Sequence, residues 1–284
     1  MTDDQRPPAV GFIGLGQMGG PMAGHLVGWP GGLVVCDTRA DATAPLAARG
    51  ARVVATPAEV AQAASIVSVM VLNDAQVRDV VAGLLPAAAP GTIVAVHSTI
   101  RAETAMELAA QAGADGVTVV DAPVSGGFMG AYDGRLAVMI GGDGDAVDRL
   151  REPFECWADL VLHVGPVGAG TRAKLARNLL QFVTYAAVGE AQRLAEAAGV
   201  SLADLAAVVR HSDAITGGPT AIMLRKTAAP MAADDPLFDP MAHARDLGEK
   251  DLALALELGR QLAVDLPLAE LSLEHLGSAL GVQP

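Results

Sequence analysis

The sequence predicts an α/β fold with a doubly wound, mostly parallel sheet, followed by a smaller all-helical domain. Up to Gly165, short apolar runs alternate with stretches of about ten residues that have helical periodicity. Such alternation is typical of βαβ units joined by right-handed crossovers. Beyond Gly170 no β-rich run appears and helical periodicity takes over. This change of pattern, near residues 165–168, predicts two domains of residues 1–166 and 167–284.

Each predicted strand is a short run of β-branched and other apolar residues. These runs cover residues 10–13, 33–36, 51–54, 66–72, 92–96, 117–120, 136–140 and 160–163. Helices are predicted where apolar residues recur at helical spacing, over residues 57–64, 74–84, 101–111, 171–198 and 245–262. A further helix starts after Ser201, an N-cap followed by an acidic first turn. The segment 228–240 is rich in Pro and Asp and is predicted to be a loop.

Composition and charge argue against several classes of function. A formal net charge of -13 disfavours nucleic acid or an anionic membrane surface as a partner. Residues 7–36 contain no Asp, Glu, Lys or Arg, but glycines, Pro21 and Pro30 interrupt them, so no membrane-spanning helix is expected. Cys36 and Cys156 have neither metal nor disulfide spacing, and the histidines show no ligand spacing. We therefore expect a cytoplasmic protein without a bound metal.

Glycines with the spacing G-x-G-x-x-G follow the first predicted strand, at Gly14, Gly16 and Gly19. The first permits a tight turn, the second lets the backbone approach a pyrophosphate, and the third lets the next helix pack on the strand. Gln17 and Met18, which lie between Gly16 and Gly19, are also predicted to bind the cofactor. The next strand ends at Asp37, where an acidic residue can bind the ribose hydroxyls of adenosine. The combination predicts a Rossmann-type dinucleotide site in residues 1–166.

A second motif, Asp121 to Gly127, follows a later strand of the same domain. Open α/β sheets bind ligands beyond the carboxyl ends of their strands. There, the Ser125 hydroxyl and the N–H groups of Gly126 and Gly127 could form a small nest for a carboxylate. Taken alone, however, Ser-Gly-Gly is ordinary turn material.

The third motif, Gly168 to Asn178, opens the helical half of the chain. Lys174 and Asn178 are four residues apart, which places them on one helix face, about 6 Å apart along the axis. Without context, Lys174 would be one more solvated helical lysine. Its place just after the domain boundary, where a cleft is expected, favours a functional role.

The chain resembles the β-hydroxyacid dehydrogenase family, which includes 3-hydroxyisobutyrate dehydrogenase. Four motifs match in order and span nearly the whole chain: Gly11–Gly19, Asp121–Gly127, Gly168–Asn178 and Lys250–Leu252. The resemblance implies that Lys174 is the catalytic residue and that Asn178 helps to orient the substrate. It also implies that Ser125, Gly126 and Gly127 hold the substrate carboxylate. Further cofactor contacts are implied for Leu72, Asn73, Thr99 and Lys250.

Three positions depart from the family pattern. Arg177 stands where relatives often have the first of two asparagines, and Val96 replaces the usual Asp before the Ser-Thr pair. His243 stands where relatives often have an aromatic ring. It would reshape the pocket for a more polar or longer substrate, unless it is an ordinary helical surface residue.

The residues that follow the second predicted strand favour NAD over NADP as the cofactor. Asp37 would accept hydrogen bonds from the ribose hydroxyls and repel a 2′-phosphate. NADP-preferring relatives tend to have Asn-Arg-Thr where this chain has Asp37-Thr38-Arg39. Arg39 could still reach a phosphate, so NADP stays open.

Oxidation of a hydroxy acid needs a base for the hydroxyl proton, and the reverse reduction needs an acid. Lys174 can do both if a partly desolvated cleft and the nicotinamide cation lower its pKa. We therefore predict interconversion of a small β-hydroxy acid and its semialdehyde or keto form. The alternatives are an imine reductase, a glyoxylate or succinic semialdehyde reductase and a non-catalytic nucleotide-sensing module. Alanine-rich helix faces predict a homodimer or homotetramer.

Overall fold

A computed structural model describes residues 7–225 and 227–282 of the chain. The chain divides into two compact units between Asn178 and Leu179. The first unit contains the sheet and its helices, and the second is helical. A long helix, α8 (Ala169–Ala197), contains the point of division.

The first unit is built on a nine-stranded, mostly parallel sheet, as the sequence predicts. The strands are β1 (Val10–Ile13), β2 (Leu33–Cys36), β3 (Arg52–Val53), β4 (Ile66–Val69), β5 (Ile93–Val96), β6 (Thr118–Asp121), β7 (Val124–Ser125), β8 (Leu136–Gly141) and β9 (Ala158–Gly165). Their order in the sheet is β3-β2-β1-β4-β5-β6-β8-β7, and β9 also pairs with β8. Strands β1 to β6 pair in parallel, whereas β8 runs antiparallel to β6 and β7.

Alternating side chains on the strands build two cores, one on each face of the sheet. Phe12 of β1 and Val35 of β2 belong to one core, whereas Ile13 and Val34 belong to the other. The helices of this unit that precede its last one are α1 (Gly19–His25), α2 (Ala40–Ala47), α3 (Pro57–Ala63), α4 (Asp74–Leu84), α5 (Ala102–Gly113), α6 (Gly127–Tyr132) and α7 (Gly144–Glu155). Helices α1, α2, α6 and α7 bury residues in the first core, and α3, α4 and α5 in the second.

In the second unit, α9 (Leu202–Thr216), α10 (Phe238–Gln261) and α11 (Pro267–Leu280) follow the long helix. The predicted cap of α9 is confirmed, because the Ser201 hydroxyl accepts the Asp204 N–H at 3.4 Å. The Glu190 carboxylate caps α11 by accepting the N–H groups of Leu268 and Ala269 at 2.9 and 3.2 Å. No helix in the described ranges is both long and apolar enough to cross a membrane.

Several predicted boundaries are wrong. The predicted strand 66–72 ends at Val69, because the backbone of Val71 is hydrogen-bonded to a side chain instead of a strand. The Ser98 hydroxyl accepts the N–H of Val71 and donates to its carbonyl oxygen. Helix α10 begins at Phe238, inside the predicted loop 228–240; Pro240 is tolerated because N–H groups of a first turn have no helical partner. The structure also contains elements that the sequence pattern does not predict, strand β7 and helices α2, α6, α7 and α11.

His97 is a buried polar residue that ties three parts of the sheet together. It follows β5, donates from Nδ1 to the Ala122 carbonyl at 2.8 Å and accepts at Nε2 from the Ser68 hydroxyl at 3.0 Å. Burial lowers the pKa of His97 to about 4, so the ring is neutral at physiological pH. Three aromatic rings surround it, those of Phe12, Phe154 and Trp157.

This neutral histidine predicts a loss of stability in mild acid. The unfolded chain takes up a proton on His97 near pH 6.5, but the folded chain does so only near pH 4. The stability that the neutral imidazole of His97 contributes is therefore present above pH 6.5. It decreases by about 3 kcal/mol as the pH falls toward 4. We expect the difference in unfolding free energy between wild type and His97→Gln to shrink by that amount from pH 7 to pH 4. A constant difference in denaturant titrations across this range would contradict the assignment.

Candidate functional site

The glycine-rich turn joins β1 to α1, and its three glycines have different surroundings. Gly14 has a φ of 89°, a left-handed conformation that favours glycine. A Cβ atom on Gly19 would collide with the Gly14 carbonyl oxygen, so the helix starts directly against the turn. A Cβ atom on Gly16 would meet no atom within 4 Å. Gly16 therefore borders open space, as a backbone that approaches a diphosphate requires.

Asp37 lies directly after β2, at the same edge of the sheet. Its carboxylate accepts the N–H of Leu15 at 2.6 Å and the N–H of Arg39 at 2.8 Å, and the Arg39 Nε lies 3.4 Å away. Burial raises the pKa of Asp37, but these hydrogen bonds and the Arg39 charge outweigh it and lower the pKa. The group is thus a carboxylate at neutral pH, which is the form that accepts hydrogen bonds from ribose hydroxyls.

A cavity of about 640 Å³ connects the glycine turn with Asp37. Part of its wall comes from the loop after β4 and from α4. The open space at Gly16, the ionised carboxylate and the mixed lining fit the adenosine and diphosphate of a dinucleotide. The lining includes Gly14, Gly16, Cys36, Asp37, Thr38, Arg39, Leu72, Gln76 and Asp79.

The other residues predicted to contact the cofactor are more scattered. Gln17 is exposed and Met18 half-buried, and neither lines this cavity. Asn73 is the N-cap of α4, since its side chain accepts the Gln76 N–H at 3.0 Å. Thr99 is exposed beyond the end of β5. Lys250 lies on α10 of the second unit, where its ammonium is 3.2 Å from the Asp251 carboxylate.

The predicted carboxylate nest consists of the end of β7 and the start of α6. Ser125 is the last residue of the strand and is partly exposed. Gly126 and Gly127 follow with φ values of 134° and 65°, and both are exposed. Non-glycine residues rarely adopt these angles, so the two glycines are needed to give this segment its course.

Lys174 and Asn178 lie on α8, within the first unit. Burial, and next the charge of Arg177, lower the pKa of the half-buried Lys174. The exposed Arg177 donates from Nη1 to the Asn178 amide oxygen at 3.4 Å. The lysine therefore gives up its proton more readily than a solvated surface lysine does.

Two family models together match most of the chain. Residues 9–165 match a family model described as the NAD binding domain of 6-phosphogluconate dehydrogenase. Residues 168–281 match one described as the NAD-binding of NADP-dependent 3-hydroxyisobutyrate dehydrogenase. The chain belongs to the β-hydroxyacid dehydrogenase family.

Individual relatives cover nearly the full length of this dehydrogenase. An uncharacterized oxidoreductase of Mycobacterium tuberculosis is 54% identical, over 99% of this chain and 96% of its own. The NAD-dependent L-serine dehydrogenase of Pseudomonas aeruginosa is 35% identical, over 93% of this chain and 89% of its own. A solved structure of 3-hydroxyisobutyrate dehydrogenase from Mycobacterium tuberculosis with L-serine has a TM-score of 0.69 at 31% identity, covering 96% of this chain and 98% of that one.

Two residues, Asp121 and Ser98, make long-range hydrogen bonds at the carboxyl ends of strands, and the sequence motifs assign no role to either. Asp121, at the end of β6, accepts N–H groups from the start of α8. Ser98 joins the loop after β5 to the loop after β4. Each residue follows a predicted strand, so the sequence predicts its place at the end of that strand. Its hydrogen-bond partner is distant in sequence and could not be predicted.

The glycine turn generates a prediction that separates binding from folding. Gly16→Ala places a methyl group in open space, so stability should change little while the dissociation constant of the cofactor rises at least about tenfold. Gly19→Ala, the matched control, adds the same methyl group against the Gly14 carbonyl and should cost about 1–3 kcal/mol of stability. Fluorescence titration with NADH and thermal unfolding measure the two effects. Normal cofactor affinity in folded Gly16→Ala would contradict the role of the turn.

Proposed function

We propose that this dehydrogenase interconverts a small β-hydroxy acid, such as 3-hydroxyisobutyrate or L-serine, and its semialdehyde or keto form. As a member of its family it is an oxidoreductase acting on CH–OH groups of hydroxy acids. The observation that carries the proposal is a half-buried lysine of lowered pKa, Lys174, four residues before Asn178 on the same helix.

Lys174 acts as the general acid and base. In oxidation, the neutral amine takes the hydroxyl proton, and in reduction the ammonium returns it to the developing alkoxide. The lowered pKa raises the neutral fraction that oxidation needs. Asn178 is uncharged, so it can orient the substrate without holding the lysine in its charged form.

The substrate carboxylate binds at the turn after β7. The Ser125 hydroxyl and the N–H groups of Gly126 and Gly127 supply donors for it. Because the left-handed angles at both glycines exclude most other residues, a side chain at either position would distort the nest.

The dinucleotide is held by the glycine turn and Asp37, with further contacts from the residues that follow the strands. Bound there, a nicotinamide cofactor would supply the acceptor for the hydride that leaves the substrate carbon. The remaining proposed contacts are Gln17, Met18, Leu72, Asn73, Thr99 and Lys250.

The substrate class is tested by a screen of reduced-nicotinamide absorbance with NAD and NADP. The substrates are 3-hydroxyisobutyrate, L-serine, D- and L-glycerate and 4-hydroxybutyrate. We expect turnover of the small β-hydroxy acids and much slower turnover of 4-hydroxybutyrate, whose hydroxyl lies one carbon farther from the carboxylate. Activity on none of the hydroxy acids would reject the proposal.

Asp37 supports NAD as the preferred cofactor. Its ionised, mostly buried carboxylate lines the cavity and would repel a 2′-phosphate. Asp37→Asn removes that charge. We therefore expect it to lower the ratio of kcat/KM with NAD to kcat/KM with NADP about tenfold. Asp115→Asn is the control, since it removes an equal charge from an exposed residue that borders neither the glycine turn nor this cavity. An equal effect of both variants would count against Asp37.

The helical unit is proposed to mediate self-association into a homodimer or homotetramer. No residue of α9 is buried, although the helix carries Val208, Val209 and Ile215. On α8, Leu179 and Phe182 are also more than half exposed. Apolar exposure on this scale is typical of a surface that another subunit covers. Light scattering that finds a stable monomer at micromolar concentration would reject this part of the proposal.

A further inference from the structure

The long helix α8 begins without a capping side chain of its own. The residue before its first turn is Gly168, whose carbonyl accepts the Arg172 N–H at 3.1 Å. Ser, Thr, Asp or Asn commonly occupies this position and takes up free N–H groups of the first turn. Glycine cannot do so, and another part of the chain must supply the acceptor.

Asp121 supplies that acceptor from 47 residues earlier in the chain. Its carboxylate, which is 1% exposed, accepts the N–H of Gly168 at 2.7 Å and the N–H of Thr171 at 2.6 Å. Both bonds are at or below the short end of the usual N–H···O range. The carboxyl group also lies at the N-terminus of the helix, the positive end of the helix dipole.

Two glycines let the helix approach the sheet closely enough for these bonds. A Cβ atom on Gly170 would collide with the Met139 carbonyl and lie 2.7 Å from the Asp121 carbonyl oxygen. A Cβ atom on Gly141 would collide with the Asp121 carboxylate itself. The first turn of α8 therefore rests directly on the ends of β6 and β8, without intervening side chains.

The same carboxylate is close in sequence to one of the two motifs to which the proposed function assigns the substrate, and it is hydrogen-bonded to the helix that carries the other. Ser125 is four residues after Asp121 and is the last residue of β7. Lys174 is three residues after Thr171, about 4.5 Å farther along the helix axis. A shift of the first turn would thus move the amine relative to the Ser-Gly-Gly segment.

We propose that Asp121 is a positioning residue that fixes the start of α8 on the sheet and thereby sets the place of Lys174 relative to Ser125, Gly126 and Gly127. This inference rests on the proposed function, because it assigns Asp121 to the geometry of that same site. Asp121 does not touch substrate or cofactor in this role; it acts through the helix.

Asp121→Asn is the informative variant, and Glu190→Gln is its matched control. An amide has one acceptor oxygen, and its NH₂ group would face a backbone N–H, so each substitution removes one bond at a helix start. Glu190 is 16 residues after Lys174 on α8 and holds α11 by the same pair of bonds, to Leu268 and Ala269 of the second unit. The two variants should therefore lose similar amounts of thermal stability.

The assay measures kcat and KM for L-serine with NAD, the pH dependence of kcat, and NADH affinity. We expect Asp121→Asn to lower kcat about 10- to 100-fold. The pKa that Lys174 contributes to the pH dependence of kcat should rise, and the affinity for NADH should stay within about twofold of wild type. Glu190→Gln should keep the wild-type kcat and pH profile. Unchanged kcat in Asp121→Asn, or an equal fall in both variants, would overturn the inference.

Two further experiments apply if the variant does not fold or if the wild type shows no activity. If Asp121→Asn does not fold, Asp121→Glu replaces it, since it keeps both acceptor oxygens but displaces the helix by one methylene; a wild-type kcat in that variant would overturn the inference. If wild type oxidises no hydroxy acid, the proposed function fails. Carbon-13 NMR titration of Lys174 then decides the inference alone: a higher lysine pKa in the variant supports it, and an unchanged pKa overturns it.

Discussion

Parallel pairing of β1 through β6 sends the carboxyl ends of these strands to one edge of the sheet. The glycine turn, Asp37 and Asp121 all lie at this edge because each ends or follows one of the strands. In a parallel sheet, this edge is where loops and helix starts converge and where ligands bind. The site therefore depends on strand direction before it depends on any single side chain.

The cofactor end of the site could be predicted from local order. Strand, glycines, helix, strand and carboxylate follow one another within Val10–Asp37, so sequence distance and spatial distance agree. The change from an α/β half to a helical half was predictable for the same reason, because hydrophobic periodicity is local. Strand β7 and helix α6 were missed because they have only two and six residues, too few for a periodic pattern.

Long-range polar contacts could not be predicted in this way. Asp121 and Thr171 are 50 residues apart, and His97 and Ser68 are 29 apart. Nothing in either pair marks its partner, since a buried carboxylate or imidazole needs only a donor or acceptor that folding brings near. The lowered pKa of Lys174 likewise depends on burial, which the helix pattern alone does not fix.

If Lys174 moves the substrate proton, hydroxy acid oxidation should depend on its amine, and Lys174→Met removes that amine. Methionine keeps the length and much of the apolar stem of lysine but cannot carry a proton. We expect kcat for the best substrate of the wild type to fall about 100- to 10,000-fold while NADH affinity is kept. Wild-type turnover in the folded variant between pH 7 and pH 10 would contradict this role of Lys174.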